Sequence, residues 1–183
     1  HPMAAHKSAA ASTPVRQMRT LTNMFIMWPK YVLFALLGMK SNGVERAVPF
    51  AERDKTVLRM DLYAAEDADA PWLVFAHGGG FSGGSREAAP VVDLAEGLAA
   101  RGVSVASISY RLRQRGVGFG CHVPVADKRE AMAWAAEDLS AACRAVQARG
   151  AKWLAVGGSS AGAEAALLLA GAQPVDAVVS FSG

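Results

Sequence analysis

Hydrophobic and polar residues follow two different spacing patterns along this chain. Residues 44–64 alternate between apolar and polar positions, which predicts two half-buried strands joined around residues 52–55. Beyond them the apolar residues form short continuous runs, which predict strands covered on both faces, at 72–76, 103–109, 153–156 and 175–181. Helical segments separate these runs, at about 86–100, at about 126–149, and from the turn after residue 156 to residue 171.

The strict alternation of strand and helix after the hairpin predicts a mostly parallel sheet with helices on both faces. The longest helix carries an apolar face at helical spacing, formed by Ala131, Trp134, Ala135, Leu139, Ala142 and Val146. Chemistry in such sheets gathers at the carboxyl ends of the strands. Two glycine-rich segments, 77–84 and 157–162, follow carboxyl ends, so we expect them to face one crevice.

The segment 157–162, here called the serine turn, joins a buried strand to a helix. It contains Gly158-Ser159-Ser160-Ala161-Gly162, which matches G-x-S-x-G with Ser160 at the centre. This pattern places a serine on a sharp, strained turn with its hydroxyl raised above the sheet edge. Glycine-rich turns also close many ordinary strand-to-helix connections, so the motif alone leaves plain packing open as an alternative.

The segment 77–84, here called the glycine loop, begins with His-Gly-Gly-Gly-Phe directly after a buried strand. Consecutive glycines leave backbone N–H groups uncovered, and such donors suit the oxyanion that develops in acyl transfer. A flexible loop is the plain alternative. A sharper alternative is a dinucleotide site, because Gly78, Gly80 and Gly83 spell G-x-G-x-x-G. The acidic residue that this pattern needs does not end the next strand, but an NADP site could use Arg111.

The two motifs together resemble those of the α/β-hydrolase superfamily, and more narrowly those of hormone-sensitive-lipase-type carboxylesterases. Tyr110-Arg111-Leu112, after the intervening strand, is similar to the same group. The resemblance covers about residues 44–183 and implies a mostly parallel, doubly wound α/β-hydrolase sheet, truncated after the strand that follows the nucleophile helix. This family often carries Asp where the chain has Ser159, so we expect a shift in substrate preference or local electrostatics.

The resemblance implies that the full-length protein hydrolyses small carboxylic esters through an acyl-enzyme on Ser160, without a cofactor or a metal. The backbone N–H groups of Gly79, Gly80 and Ala161 would form the oxyanion hole. His77 would brace the glycine loop, and residues 21–37 would cap the pocket with an apolar wall.

A serine nucleophile needs a general base that is itself oriented by a third group. No histidine follows Ser160, and the later acids are Glu164, on the helix after it, and Asp176, at the amino end of the last strand. His122, in a loop after a central strand, is the remaining candidate base. We therefore expect the chain to be a fragment with weak or no activity. The alternatives are a non-catalytic binding or interaction module of hydrolase ancestry and an NADP-binding oxidoreductase.

The composition and charge of the chain narrow the classes of partner that it could bind. Hydrophobic residues make up 52% of the chain, so a real core is expected. The net charge of +3 comes from scattered basic residues without an aromatic-interleaved stripe, which argues against a nucleic-acid partner. Cys121 and Cys143 show no metal-ligand spacing and fit reduced thiols in a cytoplasmic protein. The exposed last strand predicts a homo-oligomer or a partner chain that covers it.

The amino-terminal region predicts a division into three parts. Residues 1–20 read as a tag remnant and a mobile terminus, 21–40 as an apolar helical arm or cap, and 41–183 as a partial α/β-hydrolase core. Pro29 and Lys30 interrupt the apolar segment 21–37, so neither half reaches the roughly 20 residues that a spanning helix needs. Membrane association or export through that segment is the alternative to a cytoplasmic protein.

Overall fold

The computed structural model describes residues 43–113 and 123–181. In chain order the elements are β1 (Val44–Arg53), β2 (Thr56–Tyr63), β3 (Trp72–Ala76), α1 (Ala89–Ala99), β4 (Ser104–Ile108), α2 (Val125–Ala148), β5 (Leu154–Ser159), α3 (Ala161–Ala172) and β6 (Ala177–Phe181). The predicted order of strands and helices is confirmed. The expectations for residues 1–42, Cys121 and His122 lie outside the described residues.

The strands form a six-stranded sheet in the order β1-β2-β4-β3-β5-β6. β1 and β2 form the predicted antiparallel hairpin, with Asp54 and Lys55 at positive φ in its tight turn. β2 is also antiparallel to β4, whereas β4, β3, β5 and β6 run parallel. The predicted mostly parallel α/β sheet is therefore confirmed, and its carboxyl edge collects the loops that follow β3, β4 and β5.

Helices cover both faces of the sheet, as the alternation predicted. On one face α1 packs on Tyr63, Leu73, Phe75, Val105 and Ala155. On the other face α2 and α3 pack on Met60, Leu62, Val74, Ala106, Ile108 and Val156. The small residues of α2 and α3 let both helices lie close to the sheet, so the start of α3 reaches the end of β3.

The apolar face predicted for α2 is confirmed except at one position. Ala131, Ala135, Leu139, Ala142 and Val146 are buried, but Trp134 is only half-buried. The guanidinium groups of two arginines, Arg111 and Arg113, lie 5.5 and 5.9 Å from the Trp134 ring centroid. The indole therefore makes cation–π contacts with both arginines at the surface of α2.

Cys143 on α2 is buried and free. Burial raises the pKa of its thiol to about 12, so the side chain stays protonated and behaves as a small apolar group. Among residues 43–113 and 123–181, no helix combines the length and the apolar character that crossing a bilayer requires.

Candidate active site

The serine turn places Ser160 at the carboxyl edge of the sheet with its side chain exposed. Its backbone lies at φ 48° and ψ −117°, a conformation that non-glycine residues rarely adopt. Two hydrogen bonds hold it there. The Ser160 N–H donates to the carbonyl of Phe181, at the end of β6, over 2.8 Å, and the Ser160 carbonyl accepts from Glu164 in the first turn of α3. Strain of this kind costs about 1–3 kcal/mol and is found mostly at functional positions.

The glycines around Ser160 are required because α3 begins directly against the end of β3. A methyl group built on Gly162 would lie 2.1 Å from the carbonyl oxygen of Ala76, the last residue of β3. One built on Gly158 would lie 2.3 Å from the carbonyl carbon of Gly162. Real side chains do not come so close to backbone atoms, so the close approach that the motif predicts is present.

The glycine loop lies beside the serine turn. A methyl group built on Gly78 would lie 3.1 Å from the hydroxyl oxygen of Ser159 and 3.5 Å from the Cβ atom of Ser160. The two segments are separated by about eighty residues of sequence, and the parallel pairing of β3 with β5 brings them to the same edge. The two glycine-rich segments therefore lie side by side at one edge of the sheet, as expected.

Several backbone donors at this edge have no acceptor among the residues that the structure describes. The Gly79 carbonyl accepts from Ser82 and Gly83, which folds the loop into a tight turn. Within the described residues, the N–H groups of Gly79, Gly80 and Ala161 do not donate to any protein acceptor. Ala161 is also the first residue of α3, where a helix leaves its N–H groups unpaired and carries partial positive charge. These donors can bind an anionic oxygen.

His77 is buried at the start of the glycine loop. Its Nδ1 lies 2.7 Å from the carbonyl oxygen of Gly78, so this nitrogen carries a proton and donates. Burial lowers the pKa of His77, the bond to Gly78 opposes that shift, and the nearby charge of Arg86 adds to it. The imidazole is therefore neutral near pH 7 and braces the glycine loop.

Tyr110 entered the sequence analysis only as part of the resemblance, and the role of its side chain was missed. Its hydroxyl donates to the carbonyl of His77 over 2.8 Å, and its ring stacks on the imidazole at 4.5 Å between centroids. Burial raises the pKa of this phenol, so it stays protonated and keeps donating. The available signal was its position, directly after β4 at the same edge as the glycine loop.

Arg111, which an NADP site could use, already bonds two carboxylates of α2. Its backbone N–H and its Nε donate to the carboxylate of Asp138, over 2.9 and 3.0 Å, and Asp138 is fully buried on α2. Its terminal nitrogen also bonds Glu137. In addition, α1 begins only at Ala89, whereas a dinucleotide loop opens directly onto its helix. Both features argue against the oxidoreductase interpretation.

The later acids lie where the sequence predicts them, Asp176 at the amino end of the strands and Glu164 in the first turn of α3. The Asp176 carboxylate accepts from the N–H of Leu154 over 2.9 Å, at the amino end of β5. Glu164 is exposed on α3. Within the described residues His77 is the sole histidine, and it acts as a brace. His122 lies outside the described residues.

The sheet order, the serine turn and the adjoining glycine loop define an α/β-hydrolase. The BD-FAE family model matches residues 60–180, and the chain belongs to that family, which is of the α/β-hydrolase type. The comparison with curated protein sequences gives no match.

The chain is similar to solved structures of an esterase from Thermogutta terrifontis. Esterase 2 phosphorylated by paraoxon is 27% identical, with a TM-score of 0.51 over 69% of this chain and 47% of that one. The butyrate-bound form is 27% identical, with a TM-score of 0.52 over 68% of this chain and 43% of that one. The propionate-bound form is 26% identical, with a TM-score of 0.51 over 70% and 44%. The chain thus spans about half the length of these esterases.

Proposed function

We propose that the protein is a serine carboxylesterase, and that this chain carries its nucleophile and its oxyanion hole. The observation that carries the proposal is the position of Gly78, whose Cβ would lie 3.5 Å from that of Ser160. A carbonyl group attacked by Ser160 would lie beside the unpaired donors of the glycine loop. The family and the esterase neighbours support the same reaction class.

In the first half of the reaction the Ser160 hydroxyl oxygen attacks the ester carbonyl carbon and gives its proton to a general base. The carbonyl oxygen becomes an oxyanion that accepts hydrogen bonds from the N–H groups of Gly79, Gly80 and Ala161. Collapse of this intermediate breaks the bond to the alcohol, which leaves with the proton. Water then attacks the acyl-serine, and the carboxylic acid is released.

We assign the general base to a residue other than His77. A base must be able to reach the nucleophile. His77 is 3% exposed, with its ring stacked on Tyr110 and its Nδ1 bonded to the Gly78 carbonyl, whereas Ser160 is exposed. The base and its orienting acid are therefore assigned to parts of the full-length protein outside the described residues, where His122 is one candidate.

The substrates proposed here are esters with short acyl chains. Propionate and butyrate are bound in the structures of the similar esterase, and both are small carboxylates. Phosphorylation of the same esterase by paraoxon suggests that an organophosphorus reagent can report on the site.

A fluorophosphonate probe tests the assignment on the full-length protein. Labelling and turnover of 4-nitrophenyl butyrate are expected in the wild type and in Ser159→Ala. Both are expected to disappear in Ser160→Ala, because the neighbouring hydroxyl of Ser159 cannot replace the one raised on the turn. Turnover that persists in Ser160→Ala would overturn the assignment.

A full-length protein that neither reacts with the probe nor hydrolyses any short-chain ester would also contradict the proposal. That result would support the non-catalytic binding module instead. Intact mass after labelling, followed by peptide mapping across 154–172, shows directly which serine carries the adduct.

A further inference from the structure

A fully buried carboxylate stands behind the glycine loop. Asp61, on β2, is 0% exposed. It accepts from the N–H of Ala47 over 2.8 Å, from Arg46 over 3.2 Å and from Nε of Arg86 over 3.1 Å. A buried carboxylate is tolerated only when it is paired and hydrogen-bonded in this way.

Arg86 is hydrogen-bonded to residues of β2 and to residues at the end of β4. Besides Asp61, its side chain donates to the hydroxyl of Ser109 over 3.0 Å, and its own carbonyl accepts from Ser107 over 3.0 Å. Ser107 is the cross-strand partner of Asp61. The side chain of Arg86 therefore bonds one member of the Asp61–Ser107 pair and its backbone carbonyl bonds the other.

Arg86 lies two residues after the end of the glycine loop. Gly84, at φ 88°, closes that loop so tightly that a methyl group on it would lie 2.0 Å from the Gly78 carbonyl oxygen and 2.4 Å from His77 Nδ1. If Arg86 moved, Gly84 would have to move with it, and the backbone that carries the N–H groups of Gly79 and Gly80 would be displaced.

The hairpin supplies part of this support from outside the region that the family model matches. Ala47 has φ 56° and lies at the register shift of β1, between Glu45 and Val48. The bulge directs the Ala47 N–H at the Asp61 carboxylate. β1 ends at Arg53, before the family match begins at residue 60.

We propose that Asp61 and Arg86 form a positioning pair for the oxyanion-binding glycine loop, and that the bulge in β1 completes it. Neither residue touches the substrate. The pair acts by fixing Gly84 and, through it, the direction of the Gly79 and Gly80 N–H groups. The catalytic part of this proposal rests on the proposed esterase function.

Turnover kinetics of the full-length protein provide the first test. Asp61→Asn keeps the shape of the side chain and removes its charge, so we expect kcat for 4-nitrophenyl butyrate to fall about tenfold or more, with KM changed less than twofold. Displacing oxyanion donors weakens only interactions made in the transition state. Arg86→Lys keeps the charge but loses the bond to Ser109, so a smaller fall in kcat is expected.

The control is Asp176→Asn. It removes another carboxylate that accepts a backbone N–H, but Asp176 is exposed and lies at the amino end of β5, away from the glycine loop at the carboxyl edge. Its kcat should stay within twofold of the wild type, even if its melting temperature falls as much as that of Asp61→Asn. Equal losses of kcat in both variants would show a general stability effect and overturn the proposal.

Hydrogen exchange of peptides covering 77–88 is the second test, and it does not depend on esterase activity. Exchange there should rise in Asp61→Asn, and less in Arg86→Lys, while peptides from α3 stay unchanged. Unchanged exchange at 77–88 would overturn the positioning role. Raised exchange in a protein whose Ser160 does not react with a fluorophosphonate would instead reject the esterase function alone. If Asp61→Asn does not fold, Arg86→Lys decides by the same two readouts.

Discussion

The two halves of the candidate site meet at one sheet edge but are held in different ways. The serine turn is fixed by main-chain packing, because Gly158, Gly162 and the end of β3 fill the space around it. The glycine loop is fixed by side chains from distant parts of the chain, namely Tyr110 above His77 and the Asp61–Arg86 pair behind Gly84. A turn held by backbone contacts has few ways to relax, whereas a loop held by side chains can lose its braces one at a time.

This difference predicts that substitutions in the serine turn act on folding, and that substitutions behind the glycine loop act first on local order. The largest expected effect therefore belongs to Gly162→Ala. The added methyl group would lie 2.1 Å from the Ala76 carbonyl oxygen, so α3 must move away from β3. We expect a loss of about 3 kcal/mol or more in the free energy of unfolding, measured by urea titration.

The same helix offers a matched control in Gly171→Ala. A methyl group there meets no atom within 4 Å, and alanine favours helix over glycine. This variant should be unchanged or more stable by up to about 1 kcal/mol. If both variants behaved alike, the close approach of α3 to β3 would not be the reason for the glycine at position 162.

Tyr110→Phe tests the side-chain bracing of the glycine loop. The change removes one hydroxyl and leaves the buried His77 carbonyl without its donor, while the ring stacking is kept. We expect a loss of about 1–2 kcal/mol in the free energy of unfolding and faster amide exchange in residues 77–84.

Tyr63→Phe removes the same atom elsewhere and serves as the control. Its hydroxyl accepts from Arg46, whose side chain is 46% exposed, so water can take the place of the lost partner. A smaller loss of stability and normal exchange at 77–84 are expected. Equal exchange in both phenylalanine variants would contradict a special role for Tyr110.

Ser160→Gly separates the strain in the serine turn from its chemistry. Glycine adopts φ 48° without steric cost, whereas alanine keeps the strain of serine. We expect Ser160→Gly to be about 1 kcal/mol more stable than Ser160→Ala, with both inactive, by thermal unfolding of the two purified variants. Equal stability would show that the turn is relaxed and does not store strain.

The same difference explains what the sequence could predict. The serine turn is encoded locally, since the two glycines and the central serine specify the sharp turn by themselves. Its strand was predicted less well, because β5 continues to Ser159, three residues beyond the predicted run 153–156. The braces of the glycine loop are not encoded locally. Asp61 pairs with Arg86 only because β2 places it opposite Ser107, and that register cannot be deduced from alternation alone. The role of Tyr110 likewise needs the distance between the ends of β3 and β4.

His77 gives the smallest expected effect and shows how the bracing depends on pH. Burial lowers the pKa of His77 below its ordinary value of 6.5, so the unfolded chain binds a proton there more readily than the folded one. Stability should therefore be complete above about pH 6.5 and fall as the pH drops below it, by at most about 1.4 kcal/mol per pH unit for one proton. His77→Asn can still donate to the Gly78 carbonyl but does not titrate. Unfolding measured from pH 5 to 8 should show a shallower acid loss in this variant, and parallel curves would mean that His77 is protonated equally in both states.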